Sequence, residues 1–274
     1  MKIKVLIAFL LTSYFGNPDI PVPKDKNIGE WQIRNGVLLE YTKTPQTDLA
    51  QYNWNIFYTI FPKKITQKYI KRLVLFTDGE DEKTGALGAL NENNSEWQLL
   101  IDVTDVNFKS ESGERRAQSI YTLVHEFGHL ITLNNTQIKP SRKANQQPNE
   151  PYITIEGEAL KNSYINLFVS EFWTGSLLSE WDTIQKKYCF TESKRCFEKL
   201  YGLYQENYTD FLTDYAAESP EEDIAESWTA FVLHDKIEDP ETVAELKMNF
   251  FYQFPELVQY RQIIRKNLRR YIYD

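Results

Sequence analysis

The hydrophobic pattern divides the chain into a strand-rich first part and a helix-rich second part. From about 31 to 107, short apolar runs alternate with turn residues, and the runs at 71–77 and 96–103 are typical of strands. Between these runs, the segment from Gly85 to Gly88 is typical of a bulge or of a close approach to the backbone. This part of the chain therefore predicts a small β-sheet.

The period of the pattern changes after Gly113. Apolar residues then recur at helical spacing, which predicts an amphipathic helix over 114–133. The polar stretch 134–151 contains three prolines and predicts a long mobile loop. Further helices are predicted at about 176–188, 193–208, 220–235, 240–250 and 255–272.

Strands followed by helices predict one α+β domain over 31–274. In this interpretation a small twisted N-terminal sheet, with residues 31–110 rich in strands, packs against the helix at 114–133. Residues 111–274 are rich in helices and form a mostly helical C-terminal part. The length of 274 residues is sufficient for such a domain with an N-terminal extension.

The N-terminus has the pattern of an export signal. Lys2 and Lys4 precede an apolar run, 5–15, which is too short to span a bilayer comfortably. We therefore expect a signal peptide at 1–16, a secreted protein without a stable membrane span, and a flexible lead-in at 17–30. A buried first strand or helix is the alternative interpretation of the apolar run.

Composition narrows the possible partners. The formal charge of -8 gives the chain no general attraction for nucleic acid or anionic lipid. The two cysteines, Cys189 and Cys196, are seven positions apart, and in an oxidising compartment they could close a short loop as a disulfide. Two unrelated thiols on one helix, two turns apart, are the alternative.

The helix at 114–133 contains the sequence His125-Glu126-Phe127-Gly128-His129. Histidines at positions i and i+4 lie on one helix face and can bind one metal ion. Zinc with two histidines and one carboxylate keeps a position for water, and Glu126 can take the proton of that water. Gly128 costs about 1 kcal/mol of helix propensity, which indicates that another element packs closely here.

A third metal ligand is needed, and no histidine follows His129 at the spacing of the metzincins. The best candidate segment is 215–228, where Ser219 and Pro220 predict a helix start. Glu222 and Glu226 lie four positions apart on one face of this helix. Carboxylates in a first turn also complement the helix dipole, so Glu226 and the pair Glu156 and Glu158 remain alternatives to Glu222.

The two segments together resemble those of zincin metallopeptidases of the gluzincin type. The motif HEFGH with Tyr215-x6-Glu222-x3-Glu226 is similar to the motifs of the anthrax lethal factor and secreted Pro-Pro endopeptidase group. The resemblance covers about 20 residues. It implies a zincin-like fold with one Zn²⁺, in which Glu222 is the third ligand, Tyr215 stabilises the oxyanion and Glu226 supports the ligands.

The favoured function is therefore a secreted zinc-dependent endopeptidase that acts on protein or peptide substrates, with Glu126 as the general base. A strand such as 96–103 could pair with an extended substrate. The alternative is a non-catalytic extracellular or envelope binding module on a zincin scaffold. A cytoplasmic regulatory protease is a third possibility, which the N-terminal apolar run disfavours. The segments inserted between the two motifs leave the substrate preference open.

Overall fold

The computed structural model describes residues 27–40, 42–78, 84–143, 146, 150–189 and 193–272. The predicted signal peptide and residues 17–26 of the predicted lead-in lie outside this part of the chain. Residues 27–30 do not belong to a flexible lead-in, because strand β1 begins at Asn27. The chain is mixed α+β, with a sheet near its N-terminus and mostly helices towards its C-terminus, as the sequence predicts.

The main sheet has five strands in the order β2-β1-β3-β5-β4. β3 and β5 run parallel, whereas the other neighbouring pairs are antiparallel. The strands are β1 (Asn27–Arg34), β2 (Val37–Leu38), β3 (Ile70–Phe76), β4 (Gly85–Ala89) and β5 (Trp97–Asp102). The predicted strands at 71–77 and 96–103 are confirmed as β3 and β5, and β4 forms one edge of the sheet.

Two helices interrupt the first part of the chain, so the prediction of strands and turns throughout 31–107 is wrong. They are α1 (Pro45–Ile60) and α2 (Lys63–Tyr69). In α1 the fully buried residues Ala50, Trp54, Phe57 and Ile60 recur at helical spacing and pack in the main core. The aromatic residues of this segment favour strands locally, but packing against the core decides its conformation.

The predicted helices of the second part are confirmed with shifts of a few residues. They are α3 (Gly113–Leu133), α5 (Leu177–Tyr188), α6 (Lys194–Glu206), α7 (Pro220–Leu233), α8 (Val243–Asn249) and α9 (Pro255–Ile272). Helix α4 (Tyr164–Phe172) is a further helix that the periodicity did not predict. Short 3-10 helices lie at Tyr215–Glu218 and Phe250–Gln253. In the described chain, no helix is both long and apolar enough to cross a membrane.

The segment 134–151 is not a loop throughout. Its residues Ile138–Lys139 form β6, the first strand of a small sheet with β7 (Ile153–Thr154) and β8 (Gly157–Ala159), in the order β6-β8-β7. Asn134, just after α3, is buried, and its amide accepts a hydrogen bond from the hydroxyl of Tyr69 at 2.9 Å. These contacts anchor the beginning of the segment to the core.

Helices α3 and α7 pack against each other in the centre of the molecule. A Cβ atom on Gly128 would lie 2.9 Å from Cδ1 of Trp228 and 3.3 Å from Cα of Ala225. This contact confirms the close approach that the glycine predicts. A Cβ on Gly85 of β4 would lie 3.1 Å from Cγ2 of Thr122, so the sheet edge also approaches α3 closely, as expected.

The cysteines are bonded. Cys189 and Cys196 form the predicted disulfide, which joins the end of α5 to the first turn of α6. Both helices pack on each other, and the indole of Trp181 in α5 donates a hydrogen bond to the backbone oxygen of Glu218 at 2.7 Å. The α5–α6 pair therefore contacts the 3-10 helix that carries Tyr215.

Candidate metal centre

Helix α3 supplies the two histidines. Ser112 caps its N-terminus through a hydrogen bond from the backbone N–H of Arg115, and the motif lies in the buried second half of the helix. His125 and His129 are 5% and 6% exposed. Their rings meet edge to face with centroids 4.8 Å apart. The helix period thus places both imidazoles on the face that is turned to α7.

Helix α7 supplies the carboxylates. As the sequence predicts, Ser219 is its N-cap and Pro220 its first residue, and the backbone N–H of Glu222 donates to the Ser219 hydroxyl at 3.1 Å. This cap fixes the first turn, from which Glu222 points at the histidines. Glu222 and Glu226 are both buried, as are most of the other residues of α7.

Three ligand atoms converge on one point between the helices. Nε2 of His125 lies 3.0 Å from Nε2 of His129 and 3.0 Å from Oε2 of Glu222, and the second histidine lies 3.3 Å from the same oxygen. Ligands about 2.0–2.1 Å from a tetrahedral zinc ion are separated by about 3.3 Å. Among the residues that the structure describes, none forms a hydrogen bond with the buried Oε1 of Glu222. The arrangement therefore fits a metal ion.

Glu226 is not one of the three residues that could hold the metal ion, but it forms a hydrogen bond with one of them, His125. Its Oε1 accepts a hydrogen bond from Nδ1 of His125 at 2.9 Å, on the side of the ring that faces away from Glu222. A carboxylate in this position fixes the tautomer and the orientation of a metal-binding histidine. Its Oε2 accepts from the hydroxyls of Tyr121 at 2.5 Å and Thr213 at 2.8 Å. Sequence reasoning missed these two donors.

The other candidate ligands lie elsewhere. Glu158 forms ion pairs with Lys139 at 2.8 Å and Lys143 at 3.1 Å, so its carboxylate is engaged away from the histidines. Glu156 lies in the turn between β7 and β8 and is not part of the group that could hold a metal ion. The described residues thus favour Glu222 as the third ligand.

The two histidines and Glu222 shift one another's pKa values. Burial lowers the pKa of His125, but hydrogen bonds to Glu222 and Glu226 outweigh it and raise that pKa well above the ordinary value. Burial raises the pKa of Glu222, but the charge of His129 and the hydrogen bonds from both histidines bring it well below the usual range. A metal ion has to displace these protons, so its affinity falls as the pH falls.

Glu126 is buried beside the histidines. Burial raises the pKa of its carboxyl above the ordinary value, while the charges of His129 and His125 lower it in part. A hydrogen bond from the backbone of Leu87, in the edge strand β4, also favours the carboxylate. The carboxyl group therefore lies between the metal centre and the sheet edge, and its raised pKa suits a group that takes up and releases a proton.

Tyr215 begins the 3-10 helix before α7. Its ring lies 5.7 Å from that of His125, measured between centroids, and the residue is buried. Burial raises the pKa of the phenol well above its ordinary value, and the neighbouring charges of Glu222 and Glu218 raise it further. The hydroxyl therefore stays protonated and can act as a hydrogen-bond donor next to the metal centre.

A buried ion pair fixes the turn that carries Glu222. Asp223 accepts from Nζ of Lys247 at 2.6 Å, and neither side chain is exposed to solvent. Lys247 also donates to the backbone oxygen of Asp210 at 2.6 Å, and the Trp173 indole donates to Asp223 at 2.8 Å. No sequence signal connected Lys247 with this helix, because the contact joins residues far apart in the chain.

The site thus belongs to the class of buried groups of two histidines and one glutamate that could hold a metal ion. A search of protein-family models, of curated proteins and of solved structures gives no match to this chain.

Proposed function

We propose that the protein is a zinc-dependent endopeptidase of the gluzincin type, the group that its two motifs resemble. One observation carries the proposal: a buried carboxylate, Glu126, lies beside a group that, within the described residues, offers three protein ligands to a metal ion. A purely structural zinc site is normally closed by a fourth protein ligand, whereas a catalytic site keeps one position open.

Zinc is the metal that suits this group best. Neutral imidazoles together with one carboxylate are a common ligand set for catalytic zinc. The nitrogen and oxygen atoms lie 3.0–3.3 Å apart, as a tetrahedral site requires. Bound zinc supplies Lewis acidity and lowers the pKa of a water ligand.

The residues around the metal centre have separate roles in peptide hydrolysis. Glu126 accepts the proton of the attacking water and returns it to the amine that leaves. Tyr215 donates a hydrogen bond to the oxygen of the scissile carbonyl as negative charge develops there. Glu226 keeps the ring of His125 in the tautomer that leaves Nε2 available to the metal.

The expectation that 96–103 binds the substrate as an edge strand is wrong, because β5 lies between β3 and β4. Within the described residues, β4 pairs only with β5, and its Leu87 contacts Glu126. We therefore assign the role of docking strand to β4, along which an extended peptide could add as a further strand. The small side chains of this strand, GALGA, leave room for such a neighbour.

Secretion is part of the proposal. The disulfide between Cys189 and Cys196 supports it, because such bonds persist mainly in oxidising compartments. The apolar run at 5–15 supports it independently as the core of a signal peptide.

The test is the variant Glu126→Gln, which removes the base but no metal ligand. We expect it to retain about one zinc per chain by metal analysis and to lose hydrolysis of a peptide library, monitored by mass spectrometry. His125→Ala is the matched control and should lose both the metal and the activity. Near wild-type cleavage by Glu126→Gln would exclude the mechanism. A wild-type protein that binds zinc but cleaves nothing in the library would favour the binding-module alternative.

A further inference from the structure

One hydroxyl group connects the turn of Tyr215 to the histidine that binds the metal. The Thr213 hydroxyl donates to Oε2 of Glu226 at 2.8 Å and accepts from the backbone N–H of Ala216 at 3.1 Å. Ala216 directly follows Tyr215 in the 3-10 helix. The other oxygen of Glu226 contacts His125, so only one carboxylate separates Thr213 from the metal ligand.

The position of Glu226 depends on few groups. The carboxylate is 1% exposed, and its described partners are His125, Tyr121 and Thr213. Tyr121 belongs to α3, the same helix as His125, so its hydroxyl moves with the histidines. Thr213 is the donor that belongs to the segment before α7, and its hydrogen bond joins that segment to Glu226 of α7 and, through Glu226, to His125 of α3.

We propose that Thr213 is a positioning residue that keeps Tyr215 in register with His125 through the carboxylate of Glu226. Its effect on the metal follows from the hydrogen bonds alone, whereas its effect on Tyr215 rests on the proposed peptidase function. Loss of the hydroxyl leaves a buried carboxylate oxygen with one donor fewer and frees the N–H of Ala216. Both the metal affinity and the placement of the phenol should change.

The first arm of the test measures zinc affinity by competition with a chromophoric chelator. Thr213→Val removes the hydroxyl at nearly constant volume. We expect it to weaken zinc binding about tenfold, the lower end of the range for direct partners of a ligand, because Thr213 acts through Glu226. Thr213→Ser, which keeps the hydroxyl, should restore most of the affinity. Should the valine variant not fold, Thr213→Ala is measured in its place.

Thr229→Val is the matched control. Thr229 is a buried threonine of α7 whose hydroxyl donates to the backbone oxygen of Ala225 at 2.8 Å, within its own helix. Its loss should leave zinc affinity within twofold of wild type. A Thr213 variant that also stays within twofold would overturn the proposal, whether or not the protein cleaves peptides.

The second arm measures how much Thr213→Val lowers kcat in the wild-type protein and in the Tyr215→Phe variant. Tyr215→Phe alone should lower kcat by about 10–1000-fold at full zinc occupancy if the phenol stabilises the oxyanion. If Thr213 acts through Tyr215, the additional loss caused by Thr213→Val should largely vanish in the Tyr215→Phe background. An equal loss in both backgrounds would overturn the link to Tyr215, since a general structural defect lowers kcat in either one.

The two arms separate this proposal from the proposed function. If the wild type binds zinc but hydrolyses no peptide, the peptidase assignment fails, and the zinc arm still decides whether Thr213 supports His125. If the wild type is active and Thr213→Val matches it in both arms, the peptidase assignment stands and the role of Thr213 is excluded.

Discussion

At the scale of single residues, Glu222 and Glu226 have different partners although they are one helical turn apart. Oε2 of Glu222 lies within 3.3 Å of both Nε2 atoms, whereas Glu226 contacts His125 at Nδ1, on the other side of the ring. One carboxylate is thus placed to bind a metal ion and its neighbour to orient a histidine of the same group. The difference arises from the side of the imidazole that each carboxylate reaches.

This difference predicts unequal losses of zinc affinity. Glu226→Gln should weaken zinc binding about 10–100-fold, because the histidine loses an anionic partner but the ligand set remains. Glu222→Gln should weaken it more, because a neutral amide replaces the anionic ligand itself. Competition with a chelator, together with circular dichroism to verify the fold, measures both. If Glu226→Gln strips the metal from a folded protein and Glu222→Gln does not, the two assignments must be exchanged.

The sequence could predict this centre only in part. His125 and His129 are recognisable because a helix repeats its face every three to four residues, and Glu126 is recognisable from its place between them in the motif. Glu222 and Tyr215 came from the resemblance of the second segment. Thr213, Tyr121 and Lys247 carry no such signal, because their roles depend on contacts between elements that only the folded chain brings together.

At the scale of secondary-structure elements, the distance between α3 and α7 determines whether Glu222 reaches the two histidines. Gly128 lies at the contact, where a Cβ would meet Trp228 at 2.9 Å. Trp228 itself is fully buried between Phe127, Phe231 and Phe251, so it cannot move away easily. Any separation of the helices here also moves Glu222 away from the histidines.

Gly128→Ala should therefore destabilise the protein, although alanine favours a helix by about 1 kcal/mol over glycine. We expect a net loss of about 1–3 kcal/mol from overpacking, and a lower zinc affinity. Gly202→Ala is the matched control, since a Cβ on that glycine of α6 meets nothing within 4 Å. It should stabilise the protein by up to about 1 kcal/mol. Urea unfolding measures both, and equal effects of the two variants would contradict this account.

The elements that sequence reasoning misplaced share a physical cause. Helix α1 is rich in aromatic residues, which favour strands in isolation, and α4 is a mostly apolar helix of only 9 residues. Both are stabilised by packing on the core, which outweighs local preference. The long helices with charged outer faces were predicted well, because their periodicity extends over several turns.

At the scale of the whole molecule, acidic side chains collect at the end of the sheet as well as at the metal centre. Asp78 follows β3 and Asp105 follows β5, and both lie close to the buried Asp102. Burial and the charges of Asp102 and Asp78 raise the pKa of Asp105 to about 6. A native pKa above that of the unfolded chain makes stability decrease as the pH rises through this range.

Asp105→Asn should therefore stabilise the protein more at pH 8 than at pH 5. At pH 5 the native aspartic acid is largely protonated and resembles the amide, whereas at pH 8 it is ionised and its charge opposes folding. Urea unfolding of the variant and the wild type at both pH values, with a chelator present to remove divalent cations, gives the two differences. Equal differences at pH 5 and pH 8 would show that Asp105 does not titrate in the expected range.

The candidate metal ligands come from distant parts of the chain. His125 and Glu222 are 97 positions apart, whereas the disulfide joins cysteines only seven positions apart. If a bound metal acts as a cross-link, closing a loop of about 100 residues restricts the unfolded chain by about 4.7 kcal/mol, against about 2 kcal/mol for the short disulfide loop. The ion would then add a cross-link between α3, which packs on the sheet, and the C-terminal helices, so that a chelator would also remove a structural constraint on the chain.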